Sequence, residues 1–182
     1  MLSDLQSQSL AQIFDADGVL VSEADRTHYG QDWSRFIAPD PSAIVFPKEV
    51  SQLKALVAFA RAEQIGLVPS GGRTGLSGGA TAARGEVVVS FERMNRVLDF
   101  DEASRLVLVE PGVITQQLQQ FAMDQGHYYP VDFASSGSSH IGGNIATNAG
   151  GVRVLRYGMM RNQLLGLEVV LADGSVVSSM FN

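Results

Sequence analysis

The chain has 182 residues and not one cysteine. That excludes disulfides, cysteine-ligated zinc, iron–sulfur clusters and thiolate catalysis, and it fits a cytoplasmic protein. Lysine is nearly missing as well. Only Lys48 and Lys54 occur, the arginines are scattered, and the formal net charge is −6. A nucleic-acid binder needs a basic face, so no nucleic-acid partner is expected. No apolar run approaches the roughly 20 residues of a membrane span. The opening stretch MLSDLQSQSLAQIF has no basic leader and reads as a short amphipathic helix. His28, His127 and His140 lack the i, i+4 spacing of a metal site, and no metal site is expected. No G-x-S-x-G occurs, so serine hydrolase chemistry has no support. Asp99, Asp101 and Glu102 look like a solvated strand end. No catalytic acid or base is expected in this chain.

What is present is apolar: 45% of residues are hydrophobic, enough for a packed core. Leu2, Leu5, Leu10, Ile13 and Phe14 recur at helical spacing, and Asp17-Gly18 ends that element. HYGQDWSRFIAPDPS reads as an aromatic, proline-containing loop. Ala43–Pro47 reads as a buried strand. Val50, Leu53, Leu56, Val57 and Ala60 lie on one helical face, with Gly66 at the end. Leu67–Ser70 is the next strand. Strand, helix, strand at this length predicts a parallel βαβ unit.

EVVVS, VLDFD and RLVLVEPG follow as strands. Thr115 is placed to cap a helix through Ala122. Residues 127–151 lack periodicity and read as one long, functional loop. LGLEVVLADGSVVSS reads as a hairpin turning at Asp173-Gly174. About seven strands and three or four helices make an α+β chain: a parallel start, then a mostly antiparallel second half.

Two segments carry the chemistry. PSGGRTGLSGG places Gly71, Gly72, Gly75, Gly78 and Gly79 among Ser70, Thr74 and Ser77. Glycines let ligand atoms approach the backbone, and successive free N–H groups form an anion nest. Yet the glycines miss the offsets of G-x-G-x-x-G, and no lysine follows as in G-x-x-x-x-G-K-[ST]. Taken alone, the segment reads equally as a glycine-rich turn without a ligand. The second segment, DFASSGSSHIGGNIATNAGG, offers neutral donors and acceptors suited to a ring edge or a polyol chain. Two such segments suit a long, two-ended, anionic ligand. Tight packing alone is the other reading of Gly142-Gly143 and Gly150-Gly151.

In this order, PSGGRTGLSGGA, MNRVLDFD, VEPGV, PVDFASSGSSHIGGNIATNAGG, RYG and LGLEVVLADGSVV resemble the FAD-binding domain of the FAD-linked oxidases, the vanillyl-alcohol-oxidase or PCMH-type fold. Within it the chain looks most like the D-2-hydroxyacid dehydrogenases: the D-2-hydroxyglutarate dehydrogenase, glycolate oxidase FAD subunit and D-lactate dehydrogenase group. The likeness covers nearly everything after Ala43. It implies a domain over residues 43–182 with an N-terminal extension over 1–42.

The resemblance also implies site residues. Pro69, Ser70, Gly71, Gly72, Arg73, Thr74, Gly75 and Leu76 would wrap the FAD pyrophosphate, mainly through the backbone. Pro130, Val131 and Asp132 would border the flavin. Gly137, Ser138, Ser139, Gly142, Gly143, Asn144, Thr147 and Asn148 would line the isoalloxazine and its phosphate arm, with Gly150 and Gly151 shaping the loop. Relatives often carry Asn at the Arg73 position and Ser-Cys where this chain has Ser138-Ser139. Covalent attachment in the family uses a histidine near the Arg73 position, or a cysteine, so non-covalent FAD is expected.

Family members continue into further flavin-contacting segments and a substrate domain that hold the active-site histidines and metal ligands. The chain is therefore expected to be a C-terminally truncated portion, inactive alone. Its parent is expected to oxidise a small-molecule D-2-hydroxy acid, by hydride transfer to flavin N5, and to pass electrons to an acceptor. An FAD-carrying electron-transfer subunit is an alternative. A non-catalytic nucleotide-binding or interaction module is another.

Overall fold

The computed structural model describes residues 2–15 and 17–180. The chain divides into two compact units: Met1–Arg93 with Gly166–Asn182, and Met94–Leu165. It is a mixed α/β fold, with one sheet containing parallel strands and two separate antiparallel hairpins.

In the first unit, helix α1 (Asp4–Ile13) begins at a capping box. Ser3 Oγ accepts from Gln6 N–H at 3.2 Å while Gln6 Oε1 accepts from Ser3 N–H at 2.8 Å. Strand β1 (Val19–Leu20) pairs antiparallel with β2 (Ala43–Val45). Helix α2 (Glu23–Tyr29) lies between them, with Ser22 as its cap. Helix α3 (Val50–Ala62) then leads to β3 (Leu67–Ser70), and β4 (Val87–Ser90) follows. The sheet order is β1-β2-β4-β3. Both β2 and β3 run parallel to β4, which is inserted between them. The expected βαβ unit is present, with a strand slotted into its middle.

Alternation along the central strands explains the layers. Ala43, Val45, Val87 and Val89 face one side with Leu10, Phe14 and Leu56. Ile44, Phe46 and Val88 face the other with Ala82. Strands covered on both faces read as unbroken apolar runs, as AIVF and VVV do. Pro69 has no N–H to donate and sits in β3, at the sheet edge. Strands β7 (Glu168–Val170) and β8 (Val176–Ser178) form a hairpin turned by Gly174 at φ 86°.

The second unit opens with the hairpin β5 (Val97–Asp101) and β6 (Leu106–Val109). Helices α4 (Thr115–Asp124), α5 (Ile141–Ala146) and α6 (Val154–Tyr157) follow. Its core holds Val113, Leu118, Val131, Ile141 and Met160. Tyr129 donates to Met160 Sδ at 3.1 Å, and burial pushes its phenol well above the usual range.

Several local expectations need correction. Helix α3 stops at Ala62, and the left-handed residue beyond it is Gln64 (φ 54°), not Gly66. Gly66 is small for another reason: a Cβ there would lie 2.9 Å from Glu86 Cγ. Thr115 is the first residue of α4 and does not cap it; Ile114 holds the cap position. Residues 127–151 are not one irregular loop, because α5 folds inside them. Strand β1 and helix α2 are additions that sequence periodicity did not mark.

Candidate cofactor-binding site

The first glycine segment leaves the end of β3 in the first unit. Gly71, Gly72, Arg73 and Thr74 are half-buried, whereas Gly75, Leu76 and Ser77 are exposed. Among the described residues, no acceptor takes a hydrogen bond from any backbone N–H between Gly72 and Ala80. The carbonyl side of the segment, by contrast, is held: Trp33 N–H donates to Gly75 O at 3.0 Å. Arg73 turns the chain with φ 55°. At Gly78 and Gly79 an added Cβ would meet nothing within 4 Å.

The side chain of Arg73 is engaged by protein. Its Nη1 lies 2.8 Å from Glu92 Oε1. Its Nη2 is 3.2 Å from His28 Nε2, and the guanidinium stacks 4.6 Å over the Tyr29 ring. Tyr29 donates to Glu92 Oε2 at 3.2 Å. Burial, then the Glu92 carboxylate, pushes the Tyr29 phenol upward. Asp32, 3% exposed, accepts at Oδ1 from Ser34 N–H at 2.9 Å, while its Oδ2 faces Gly75. Ser70 is fully buried, beside Ser90 in the β3–β4 register.

The second segment, in the second unit, has a different construction. Its backbone is largely hydrogen-bonded within the protein: Ser139 N–H to Ser135 O, Ile141 N–H to Val113 O, Gly142 N–H to Pro111 O and Thr147 N–H to Gly143 O. Ser139 and Asn144 point into a buried network. Thr115 Oγ1 lies 2.7 Å from Ser139 Oγ and accepts from Asn144 Nδ2 at 2.7 Å. Val131 is in the core, and its carbonyl accepts from Gln119 Nε2 at 2.8 Å. Pro130 is also buried.

Asp132 anchors the far end of this segment. Its carbonyl accepts from Val152 N–H at 2.9 Å, and its carboxylate pairs with Arg153 at 3.2 Å. Gly151 (φ 108°) has no room for a side chain: a Cβ would lie 2.2 Å from Asp132 O. Asn148 (φ 49°) accepts at Oδ1 from Arg161 N–H at 3.0 Å. Gly150 has ordinary clearance from Val154 and Met159. Gly137, Ser138 and Thr147 are exposed. A Cβ at Gly143 would meet nothing within 4 Å.

These residues fit a dinucleotide in two ways. The Gly72–Ala80 amides supply uncommitted donors for a pyrophosphate, and Gly143 leaves bare backbone that a flat ring can approach. Sequence reasoning missed Tyr29, Asp32, Glu92, Pro111 and Thr115. No spacing signal marks most of them: Tyr29 meets Glu92 from 63 positions away, and Thr115 meets Ser139 from 24. Among the described residues, no group of three or more His, Asp or Glu is placed to hold a metal ion. No described helix is long and apolar enough to cross a membrane.

The comparisons with known proteins agree with this chemistry. The D-2-hydroxyglutarate dehydrogenase of Stutzerimonas stutzeri is 58% identical over 161 residues, covering 88% of this chain and 35% of that protein. The D-2-hydroxyglutarate dehydrogenase of Xanthomonas citri pv. viticola is 48% identical over 176 residues, covering 97% and 37%. The mitochondrial enzyme of Bos taurus is 38% identical over 149 residues, covering 82% and 27%. The chain thus spans about a third of the length of the curated relatives it matches.

Among solved structures, alkyldihydroxyacetonephosphate synthase superposes with a TM-score of 0.90 at 20% identity, over 99% of this chain and 35% of that one. The p-cresol methylhydroxylase structure gives 0.79 at 24% identity, over 96% and 35%. At such identities these likenesses speak for the fold, which is PCMH-type. The profile of the FAD binding domain matches residues 41–179, and the chain belongs to that family, with FAD as its cofactor.

Proposed function

We propose that this chain is the FAD-binding portion of a D-2-hydroxyacid dehydrogenase, with D-2-hydroxyglutarate as the first substrate to try. Residues 43–182 form the cofactor-binding domain. Residues 1–42 extend it and pack Leu10 and Phe14 into the same core as β2 and β4. The relatives of that name, at 58% and 48% identity, support the substrate class.

The observation that carries the reading is the run of uncommitted amides from Gly72 to Ala80. There Gly72, Arg73, Thr74, Gly75 and Leu76 hold the pyrophosphate through backbone N–H groups, with Pro69, Ser70 and Gly71 fixing the start of the turn. In the second unit, Gly143 offers open backbone, and Ser138 and Thr147 offer exposed hydroxyls to the flavin end. Ser139, Gly142, Asn144, Asn148 and Gly150 hold that surface in shape, as do Pro130, Val131 and Asp132. We read the cofactor as held non-covalently, because covalent members attach it through a histidine near the Arg73 position or a cysteine, and this sequence offers neither there.

Bound FAD would supply the hydride acceptor for oxidation at the substrate Cα. The chain's own residues bind and orient. A second redox partner takes the electrons onward.

The test is optical. The purified full-length protein to which this chain belongs should carry flavin bands at about 375 and about 450 nm that bleach when D-2-hydroxyglutarate is added without oxygen. Acid or heat should release the flavin intact. Bands that bleach with other D-2-hydroxy acids but not this one would overturn the substrate. A colourless protein that takes up no added FAD would overturn the reading itself.

A further inference from the structure

We infer that Arg73 is a positioning residue: its guanidinium faces protein, clamps the first glycine segment to α2 and to the 3-10 turn Phe91–Arg93, and pre-shapes the amides for a pyrophosphate. This rests on the proposed FAD reading.

The geometry is specific. Arg73 has a left-handed backbone (φ 55°), which is unfavourable for a residue with a Cβ. Something must hold it there. Three groups do: Glu92 at 2.8 Å, His28 at 3.2 Å and the Tyr29 ring at 4.6 Å. Tyr29 in turn donates to Glu92, so the clamp is closed on itself. Tyr29 and His28 come from the last turn of α2, and Glu92 from the turn after β4.

The Arg73 side chain is 18% exposed. Its planar fork matches a carboxylate and an aromatic face at once, which a lysine does not. The charge of Arg73 is thereby neutralised locally, and the amides following it carry the task of meeting an anion. A guanidinium aimed at the ligand would predict the opposite arrangement, with an acid-free surrounding. On this account the structural cost of the left-handed turn is met before the cofactor arrives, so less ordering is needed on binding.

The experiment measures FAD affinity of the full chain by flavin fluorescence for four proteins: wild type, Arg73→Asn, Glu92→Gln and the double variant. Asparagine tolerates the left-handed backbone, so that variant removes the clamp without adding backbone strain. Each single variant should weaken FAD binding about tenfold, the worth of a partly buried charge-assisted hydrogen bond. The double variant should be no weaker than the worse single, because both changes break one device. Arg73→Lys should recover part of the loss. The visible spectrum of the residual holoprotein should be unchanged, since the ring environment is not altered.

If Arg73 instead touches the pyrophosphate, Glu92→Gln frees it and FAD binds more tightly; that result overturns the inference. So does unchanged affinity in all variants. Failure of the wild-type chain to bind FAD at all overturns the underlying reading instead.

Discussion

Gly142 packs against Pro111 so closely that a Cβ on it would sit 2.6 Å from Pro111 Cβ, whereas one on Gly143 would touch nothing within 4 Å. Adjacent glycines of one helix therefore answer to different demands. Gly142 serves the fold, and the open space at Gly143 underlies the proposal that a ligand approaches there. Gly142→Ala should cost about 1–3 kcal/mol through overpacking. Gly143→Ala should leave stability unchanged or raise it by up to about 1 kcal/mol, since alanine favours helix. It should nonetheless weaken FAD binding, and Gly143→Val should abolish it. Thermal unfolding of the apoprotein and FAD titration give both signs. Normal FAD binding by Gly143→Val contradicts the placement.

Thr115 is the hub of a buried polar network. Its hydroxyl meets Ser139 Oγ and takes a hydrogen bond from Asn144. Thr115→Val keeps the shape and removes the hydroxyl. The Asn144 amide is then left without that acceptor in a buried site. The expected loss is about 1–3 kcal/mol in urea unfolding, and an unchanged midpoint contradicts the network.

Glu110 is 6% exposed and accepts from Arg96 N–H at 2.8 Å and from Arg96 Nη2 at 2.7 Å. Burial pushes its carboxyl upward, but the Arg96 hydrogen bonds outweigh that and hold it below the ordinary glutamate value. A depressed folded-state value stabilises the fold at neutral pH. That stability is lost as pH falls through the depressed value. Wild type should exceed Glu110→Gln by about 1–3 kcal/mol at pH 7. The gap should shrink below the ordinary glutamate value of 4.5. Urea unfolding at several pH values measures it, and a gap that grows toward acid contradicts the assignment.

Gly151 combines φ 108° with a Cβ position 2.2 Å from Asp132 O. Gly151→Ala cannot be absorbed by a side-chain rotation, because the obstacle is backbone. It should cost more than the roughly 1 kcal/mol of a left-handed alanine alone. A melting temperature equal to wild type contradicts the close approach.

The sequence made the sheet and the glycine segments legible, because their signals are local. AIVF and VVV are apolar on both faces, and the βαβ spacing shows within thirty residues. Strand β1 was not legible: two residues carry no period. Helix α5 was hidden for a related reason. IGGNIA holds two glycines, which lower helix propensity, and its stability comes from Ile141 packing into the core with Val113 and Leu118. Among the expected site residues, sequence could not separate those facing a ligand from those facing protein. Ser138 and Ser139 look alike in a string, yet one is exposed and the other bonds Thr115. The role of Arg73 depends on Glu92, His28 and Tyr29, 19 to 45 positions away, and only folding brings them together.

The central claim is that the amides from Gly72 to Ala80 receive the cofactor's pyrophosphate. Amide hydrogen exchange of the full chain, with and without FAD, tests it most directly. Exchange across Gly72–Ala80 should slow strongly once FAD is bound. Flavin bands that co-elute with the protein while those amides exchange at the same rate as in the apoprotein would contradict it.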